Sequence, residues 1–539
     1  MAAATVAVLA VLIAPEPWEA GPASFRVLVE DRVVLDAEVE LGSVASRSLS
    51  EGAVVVEAPG GFPVDAPISL QVSGVAESPV VELRFVDGSV ELLPALGGTE
   101  EGDWRVVRRP PRHATAVLGL LGAVIVLWVT EVWPLHVTSL LIPVVLVGAG
   151  VGPARDVLAP FFDPIIVLFF AGFLMAEAMR RVGLDHLAAI SLVGWAGRGP
   201  VRLFAALLAV SAFLSMWMSN TAAVTVLLPI VIAITDPIGH LGYRKAAILG
   251  VAYAATIGGV GSLVGTPANP LAVTFIEELT GRAISFAEWL AFGLPMVVLL
   301  LPAMGAWLWW TSRVEVDADR FVEARRVAEA ERRRAGRPSF DQLVVLGVFG
   351  AVMVGWLTET WHGVSTGIVA LGGAVALMVI GKVRPEDLGR ISWPTLLTFG
   401  GGLSLGFAMV SSGVSDHLVG HLGGLAGLPS AIAIGAVATV ALLVTTAASN
   451  TASAATLIPL SVPLAALIGV DPVLLVLVVA IASSIDFALV IGTPPTMLAY
   501  GTGHFTAGEV MRKGSVLDVV GILLLVTVVT AAWNLFGLL

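Results

Sequence analysis

Apolar stretches alternate with short polar loops from Ala114 to the end of the chain. A helix needs about 20 apolar residues to cross the hydrocarbon core of a bilayer, and most of these stretches approach or exceed that length. The pattern therefore predicts a polytopic α-helical membrane protein with two sets of five spans. The first set covers 114–131, 134–151, 160–182, 243–280 and 286–311, and the second covers 342–358, 361–381, 391–413, 471–505 and 512–537.

Two further apolar stretches, 200–237 and 428–468, are interrupted by polar residues. A Ser-Asn-Thr sequence at 219–221 (the first tip) divides one stretch, and the same sequence at 449–451 (the second tip) divides the other. Polar groups inside a membrane must find partners or bind something. We therefore predict a re-entrant helical hairpin in each stretch, with the polar tip where its two helices meet.

The residues before the first span have a different pattern. Between 24 and 93, Val-rich runs alternate apolar with polar positions, and Gly, Pro and Ser separate them, with a hairpin-turn composition at 86–89. We predict a small all-β, sandwich-like domain over 24–113. The segment 1–23 begins with an apolar run that fits a short anchor, a cleaved signal or a first strand, and the sequence leaves all three open.

The two sets of spans are copies of each other, since four groups of residues recur at offsets of 227 to 230 positions. The recurring residues are Trp128, Thr130, Glu131 and Trp133 with Trp356, Thr358, Glu359 and Trp361; Pro164, Phe169, Gly172, Ala178, Met179 and Gly183 with Pro394, Phe399, Gly402, Ala408, Met409 and Gly413; the two tips; and Gly265, Thr266 and Pro267 with Gly492, Thr493 and Pro494. Five crossings in each copy invert the second copy relative to the first. Inverted repeats with broken helices near the middle of the membrane are typical of secondary transporters.

Composition narrows the class of protein further. Only 13% of the 539 residues are charged, 57% are apolar, and the mean hydropathy is +0.93, which excludes an ordinary soluble enzyme. The net charge of −12 and the lack of a basic patch outside one loop argue against a nucleic-acid partner. The chain has no Cys, which excludes disulfides and thiolate metal sites.

Basic residues indicate how the chain is oriented. The linker 312–341 contains eight Arg, and other basic residues concentrate in loops on the same predicted side. The positive-inside rule then places the linker in the cytoplasm and the C-terminus outside, with repeat 1 at 114–311 and repeat 2 at 342–539. The β domain lies outside in this topology, although Arg105, Arg108, Arg109 and Arg112 beside it run against the rule.

The polar tips combine groups that bind ions. Ser215 precedes Ser219 by four residues, as Thr445 precedes Ser449, so each pair lies on one helix face. Free carbonyls at the end of one helix suit a cation, and free N–H groups at the start of the next suit an anion. No Lys or Arg lies near these motifs in the sequence, so the charge of a bound anion must be offset by helix dipoles and bound cations.

Gly and Pro interrupt one span in each copy, at 258–270 and 491–503. They break a helix and free its backbone groups, and the carbonyls of Gly265 and Gly492 are natural ligands for a hard cation such as Na+. Any one of these motifs alone is explained as well by a kinked span or by hydroxyls bonded to their own helix. Four motifs in duplicated positions favour a binding site.

Asp486 lies in an otherwise apolar run, six residues before Gly492. A carboxylate inside a membrane is a candidate functional group. It has three open interpretations: it raises cation affinity, it takes up a proton and shifts coupling toward H+, or it is only hydrogen-bonded to a neighbour.

Residues 114–539 resemble the divalent anion:sodium symporter family, the carriers of dicarboxylates, citrate and sulfate. The resemblance rests on Thr130, Glu131 and Pro134, on both tips, and on both Gly-Thr-Pro sequences. The chain departs from the usual family pattern at Val490 and Thr496, where Pro and Asn are common. The resemblance implies a homodimer that works by an elevator motion of a transport part against a fixed scaffold.

The resemblance also implies site residues. Substrate contacts would come from Asn220, Thr221, Ser449, Asn450, Thr451, Thr493 and Pro494. One Na+ site would use Ser215, Ser219, Asn220 and Gly265, and the other would use Thr445, Ser449, Asn450 and Gly492.

We therefore expect an inner-membrane, multi-pass importer of a small divalent anion, coupled to Na+ and surrounded by lipid, with no other cofactor. A C4-dicarboxylate is favoured over sulfate or citrate. An anion exchanger or an H+-coupled carrier of the same fold is one alternative, and a channel or a non-transporting sensor that uses the β domain is another. We do not expect an enzyme, because no nucleophile–base pair or metal-ligand set is evident.

Overall fold

The structure is a computed structural model. It describes strands between 21 and 108 by their backbone, then residues 111–194, 199–312, 336–415, 428–447 and 449–535, with a few positions between 326 and 333 and residue 538. Residues 1–20 of the predicted segment 1–23, the predicted turn at 86–89 and most of the Arg-rich linker lie outside the described residues.

The described N-terminal strands form two antiparallel sheets, ordered β2-β1-β6-β7 and β3-β4-β5-β9-β8. The strands are β1 Gly21–Val29, β2 Arg32–Leu41, β3 Arg47–Glu51, β4 Val54–Ala58, β5 Ile68–Ser73, β6 Val80–Phe85, β7 Val90–Pro94, β8 Leu96–Gly98 and β9 Trp104–Arg108. Strand β1 pairs on both sides, with Phe25 opposite Ala37 and Leu83. These strands occupy the range in which the sequence predicts β structure, and their assembly into one sandwich-like domain stays a prediction.

The described part of the first half is helical. Its helices are α1 Pro111–Thr130, α2 Leu135–Gly148, α3 Ala154–Leu158, α4 Pro164–Arg181, α5 Leu184–Gly194, α6 Pro200–Ser215, α7 Asn220–Thr235, α8 Leu241–Val260, α9 Ala268–Thr280 and α10 Phe286–Thr311. A 3-10 turn, Ala159–Phe162, joins α3 to α4.

The described part of the second half follows the same order of elements. Its helices are α11 Phe340–Leu357, α12 Glu359–His362, α13 Thr366–Val379, α14 Trp393–Ser411, α15 Ser430–Ala447, α16 Asn450–Ile468, α17 Pro472–Ala482, α18 Pro494–Gly501, α19 Ala507–Leu524 and α20 Thr530–Leu535. A 3-10 turn, Pro385–Gly389, precedes α14, and a π-helical turn, Leu525–Val529, joins α19 to α20.

Among the described residues, six helical segments are long and apolar enough to cross a membrane. They are Ala154–Arg181, Phe286–Thr311, Phe340–Leu357, Trp393–Ser411, Asn450–Ile468 and Ala507–Leu535. The other apolar helices are shorter, in part because both Gly/Pro-rich spans divide as the sequence predicts. The chain leaves the helix over 261–267 (the first unwound segment) and over 483–493 (the second unwound segment). The inverted orientation of the two repeats stays a prediction.

The helices pack in two groups. In the first group, α4 packs against α13, and α14 packs against α1 and α2. In the second group, α8 contacts α6, α7, α10 and α18, while α17 contacts α9, α15 and α16. Because α8 and α17 are surrounded by other helices, nearly all of their side chains are buried. This second group therefore holds both hairpins and both unwound segments.

Glycines of α14 lie where the two groups meet, at the contacts of this helix with α16 and α9. A Cβ added at Gly402 would lie 2.6 Å from the Cβ of Ala455, and one added at Gly406 would lie 2.2 Å from the ring of Phe275. Glycine at these positions lets the helices approach closely, as is common between helices in membranes.

Candidate functional site

Both tips lie where one helix of a hairpin ends and the other begins. The first tip separates α6 from α7, and the second separates α15 from α16. Ser219 Oγ accepts a hydrogen bond from the N–H of Ala222, and Ser449 Oγ accepts one from the N–H of Ala452. Each serine is thus an N-cap, and the other free N–H groups of that first turn remain at the tip.

Oxygen atoms converge behind the first tip. One terminal atom of the Asn220 side-chain amide lies 2.5 Å from the Ser215 hydroxyl oxygen and 3.2 Å from the carbonyl oxygens of both Ala255 and Gly265. With its nitrogen at that place, the amide donates to both carbonyls. With its oxygen there, hydroxyl, amide and carbonyl oxygens face one another, which is the ligand set that a hard cation takes. The arrangement of Ser215, Asn220 and Gly265 therefore fits Na+.

The second tip has a similar but not identical arrangement. Thr445 Oγ1 lies 2.8 Å from Asn450 Oδ1 and 2.7 Å from the carbonyl oxygen of Ser483. In the neighbouring segment, the hydroxyls of Thr493 and Thr496 are hydrogen-bonded at 2.8 Å. Hydroxyl, amide and carbonyl oxygens meet here too, so the ligand types again fit a hard cation.

A cavity of about 610 Å³ lies between the tips and the unwound segments. The residues of the four motifs that line it are Ser219, Asn220, Thr221, Gly265, Thr266, Pro267, Ser449, Asn450, Thr451, Gly492, Thr493 and Pro494. All seven residues expected to contact the substrate therefore border one cavity.

The opposite wall of the cavity comes from the first helix group. It includes Phe169 and Phe173 of α4, and Ser392 and Thr395 at the start of α14. The cavity thus lies at the boundary between the two groups, with the tips and unwound segments on one side and residues of α4 and α14 on the other.

Charged residues also line this wall, although the sequence places no Lys or Arg near the motifs. The carboxylate of Glu177 accepts hydrogen bonds from Arg180 at 2.7 Å and from Arg390 at 3.1 Å. The Glu177 side chain is 9% exposed, while those of Arg180 and Arg390 are 56% and 57% exposed. The fold therefore brings two arginines to the cavity, from α4 and from the loop before α14, although both are distant from the tips in the sequence.

The charges on this wall nearly balance. Arg181 pairs with Asp387, and Asp185 lines the cavity beside Arg180. Burial would raise the pKa of Asp387, but the Arg384 backbone N–H and the guanidinium of Arg181 outweigh it and hold that pKa below its usual value. Burial raises the pKa of Asp185. The wall supplies no surplus of positive charge that would neutralise a divalent anion.

Three expected residues lie behind the cavity rather than on its surface. Ser215 and Thr445 are fully buried and contact the tip asparagines from behind. Asp486 is 1% exposed and lies in the second unwound segment. These positions suit ion ligands and do not suit direct contact with a substrate.

The sequence analysis missed Arg180, Arg390 and Asp518. The two arginines lie at a helix end and in a polar loop, where the sequence analysis uses such residues only to predict the orientation of the chain. Asp518 in α19 is 6% exposed and accepts a hydrogen bond from the N–H of Phe487. It lies in an apolar run, so the criterion that identifies Asp486 would also have identified Asp518.

Comparison with known proteins agrees with this architecture. The sequence model of the citrate transporter family matches residues 125–480 and 353–537. The sodium-dependent dicarboxylate transporter SdcS of Staphylococcus saprophyticus is 30% identical over 431 residues, which cover 75% of this chain and 83% of that protein. An uncharacterized transporter of Haemophilus influenzae is 31% identical over 433 residues, which cover 78% of this chain and 92% of that protein.

Among solved structures, the YdaH transporter of Alcanivorax borkumensis aligns with a TM-score of 0.50 and 15% identity over 70% of this chain and 86% of that one, which indicates a shared fold. Together with the apolar helices, these matches indicate a multi-pass membrane carrier rather than an enzyme. The chain belongs to the divalent anion:sodium symporter family, and is thus a secondary transporter of the dicarboxylate and citrate type.

Proposed function

We propose that this carrier imports a small divalent anion together with Na+, and that its substrate is a C4-dicarboxylate rather than sulfate or citrate. The single observation that carries the proposal is the cavity bordered by both tips and both unwound segments. Its volume of about 610 Å³ accommodates a small dianion with accompanying water. The sodium-dependent dicarboxylate transporters among the relatives support the same choice of substrate and ion.

The substrate-binding residues in this proposal are Asn220, Thr221, Ser449, Asn450, Thr451, Thr493 and Pro494. Their hydroxyls and amides donate hydrogen bonds to carboxylate oxygens, and the starts of α7 and α16 contribute free N–H groups and favourable helix dipoles. Two such helix starts on one cavity match the two carboxylates of a dicarboxylate.

Bound Na+ supplies the positive charge that the cavity wall lacks. The first Na+ site uses Ser215, Ser219, Asn220 and Gly265, and the second uses Thr445, Ser449, Asn450 and Gly492. Each site shares its asparagine with the substrate, so a bound cation both orients that side chain and attracts the anion. This shared ligand is the physical basis of the proposed coupling.

An elevator motion of the second helix group against the first would carry the cavity across the membrane. The division of the helices into two groups, with glycine at the α14–α16 contact, supports such sliding. We also propose that the first group forms the homodimer contact, because α11 and α13 expose large apolar side chains such as Leu343, Val354 and Val379. The same side chains also fit contact with lipid.

The orientation follows from the basic residues. We propose that the Arg-rich linker is cytoplasmic, that the C-terminus and the β domain are outside, and that the transport repeats cover 114–311 and 342–539. Arg180 and Arg390 are half-exposed on the wall of the cavity, so the cavity faces the cytoplasm in this orientation.

The decisive experiment is uptake of labelled succinate, citrate and sulfate into proteoliposomes, with and without an inward Na+ gradient at constant pH. We expect saturable succinate uptake that requires Na+. Asn450→Ala should abolish it, because this side chain serves both the anion and the second cation. Ser515→Ala, on the exposed face of α19, is the control that should transport normally.

Other outcomes would contradict specific parts of the proposal. Uptake only into anion-preloaded liposomes would indicate an exchanger. Uptake driven by a pH gradient without Na+ would indicate an H+-coupled carrier. Flux that does not saturate would indicate a channel.

A further inference from the structure

Asp486 is a buried carboxylate that the proposed transport cycle does not yet use. It lies in the second unwound segment with 1% exposure. Its Oδ1 accepts a hydrogen bond from Thr446 Oγ1 at 3.3 Å, but its Oδ2 has no hydrogen-bond partner in the part of the chain that the structure describes. A buried carboxylate normally forms an ion pair, binds a metal ion or takes up a proton, so this oxygen calls for a cation or a proton.

The side chain of Asp486 packs against the backbone of its own unwound segment. A Cβ added at Gly492 would lie 1.8 Å from Asp486 Oδ2, so the carboxylate lies directly against the backbone of Gly492. The hydroxyl of Ser483 is also buried and has no partner among the described residues. The second unwound segment therefore contains two buried side-chain oxygens that have no hydrogen-bond partner among the described residues.

A second carboxylate adds to the negative charge. Asp518 Oδ1 accepts the N–H of Phe487 at 2.9 Å, and the hydroxyl of Tyr253 donates to the carbonyl of Phe487 at 2.9 Å. Tyr253 is thus engaged with the backbone and not with either carboxylate. Within the described residues, neither Asp486 nor Asp518 forms an ion pair with Lys, Arg or His.

We propose that the carboxylate of Asp486 is a direct ligand of the Na+ held at the second unwound segment, with the Ser483 hydroxyl as a further candidate ligand. The inference rests on the proposed Na+ coupling and deepens it, because it makes the second cation site anionic. Carboxylate, hydroxyl and carbonyl oxygens are the ligands that hard cations take, and affinity rises with the number of charged ligands. Asp518 lies behind Asp486, where it adds negative charge to the site without contacting the ion.

The two cation sites are then chemically unequal. Position 259 corresponds to position 486 in the repeat, and it is a glycine. The first site therefore relies on neutral oxygens alone, and the second site binds Na+ more tightly and fills at the lower Na+ concentration.

The test is a Na+ titration of the purified full-length protein at constant pH and constant ionic strength, with choline replacing Na+. The readout is the thermal unfolding midpoint followed by tryptophan fluorescence, because an ion that binds only the folded state raises it. For Asp486→Asn, we expect the Na+ concentration that gives half of the stabilisation to rise about tenfold, since one charged ligand is lost. Asp341→Asn removes an exposed carboxylate and should leave the titration unchanged.

Asp486→Asn should fold, because it removes a buried charge and keeps the side-chain shape. Gly492→Ala is the second variant: its methyl group would displace the carboxylate, and it should weaken the Na+ response in the same way. If Asp486→Asn and the unmodified chain respond to Na+ at the same concentration, the assignment of Asp486 is wrong while Na+ coupling stands. If Na+ stabilises neither protein although anion uptake persists, Na+ coupling itself is wrong and the inference fails with it.

Discussion

The two unwound segments occupy corresponding places in the two halves, yet they are built differently. In the first segment, the backbone of Gly265 packs against the backbone of Gly259, and a Cβ added at Gly265 would lie 2.4 Å from the carbonyl oxygen of Gly259. In the second, the carboxylate of Asp486 lies against Gly492. In the first half, two glycines let the backbone segments approach each other closely. In the second half, the carboxylate of Asp486 occupies the corresponding space.

The residues that hold the segments in place differ as well. The side-chain amide of Asn269 donates to the carbonyl oxygens of Gly259 at 3.0 Å and Ser262 at 2.7 Å. At the corresponding position, the hydroxyl of Thr496 is hydrogen-bonded to the hydroxyl of Thr493 and, among the described residues, holds no backbone carbonyl as Asn269 does. A duplicated fold therefore conserves where the backbone is unwound without conserving what surrounds it, and the two halves can specialise in different ions or affinities.

The largest effect is expected from Gly259→Ala. The added methyl carbon would lie 2.5 Å from Asn220 Oδ1 and 3.1 Å from the Gly265 carbonyl oxygen. Since Asn220 serves both the anion and the first cation in our proposal, displacing it should reduce succinate uptake by about 100-fold and unfolding stability by about 1–3 kcal/mol. Gly372→Ala is the matched control, because its Cβ would meet nothing within 4 Å. Equal uptake by the two variants would show that the close approach is unimportant.

Exchanging the supporting residues should have the next largest effect. Asn269→Thr leaves two buried carbonyls without their donor and should cost about 2–3 kcal/mol of unfolding stability. Thr496→Asn breaks a single hydroxyl contact and should cost about 1 kcal/mol. Thermal unfolding of both variants measures the difference. Equal losses would mean that the two segments are supported alike.

Asp518→Asn should have a smaller effect on Na+ binding than the preceding changes have on uptake and stability, and it should affect only the site at the second unwound segment. Its amide oxygen can still accept the N–H of Phe487, so the fold is preserved while a charge near Asp486 is lost. We expect the Na+ concentration for half-maximal stabilisation to rise about threefold, less than for Asp486→Asn. An effect as large as that of Asp486→Asn would make Asp518 a direct ligand instead. Ser515→Ala on the same helix is the control.

The smallest effect on anion uptake is expected from a change in the cavity wall that the first helix group forms, which includes neither unwound segment. Arg390→Gln leaves Glu177 with Arg180 alone and makes the wall more negative, so anion uptake at low ionic strength should fall about threefold. The difference should vanish at high salt, because the arginine is half-exposed and its field is screened. Uptake by Arg202→Gln, an exposed position at the start of α6, should not change. A deficit that persists at high salt would instead place Arg390 in direct contact with the anion.

The sequence predicts the tips, the unwound segments and the buried pair Ser215 and Thr445 because these features are local. Each depends on residues within a few positions of one another, and the duplication shows which of them recur. The wall of Arg180 and Arg390 is different, since 210 positions separate these residues and neither has a counterpart in the other repeat. Only tertiary packing brings such residues to one cavity, so no periodicity or motif could reveal their shared role.

Several of the closest contacts in the first helix group join one half of the chain to the other. Gly401 lies against Ser139 and Gly367 lies against the backbone of Pro164, while Asp387 pairs with Arg181 from 206 residues further along the chain. At a synthesis rate of about 5–20 residues per second, helix α4 waits for roughly 10–40 seconds in the bilayer before its partners exist. Neither half of the chain supplies both sides of these contacts, so the first helix group is completed only after the second half has been synthesised.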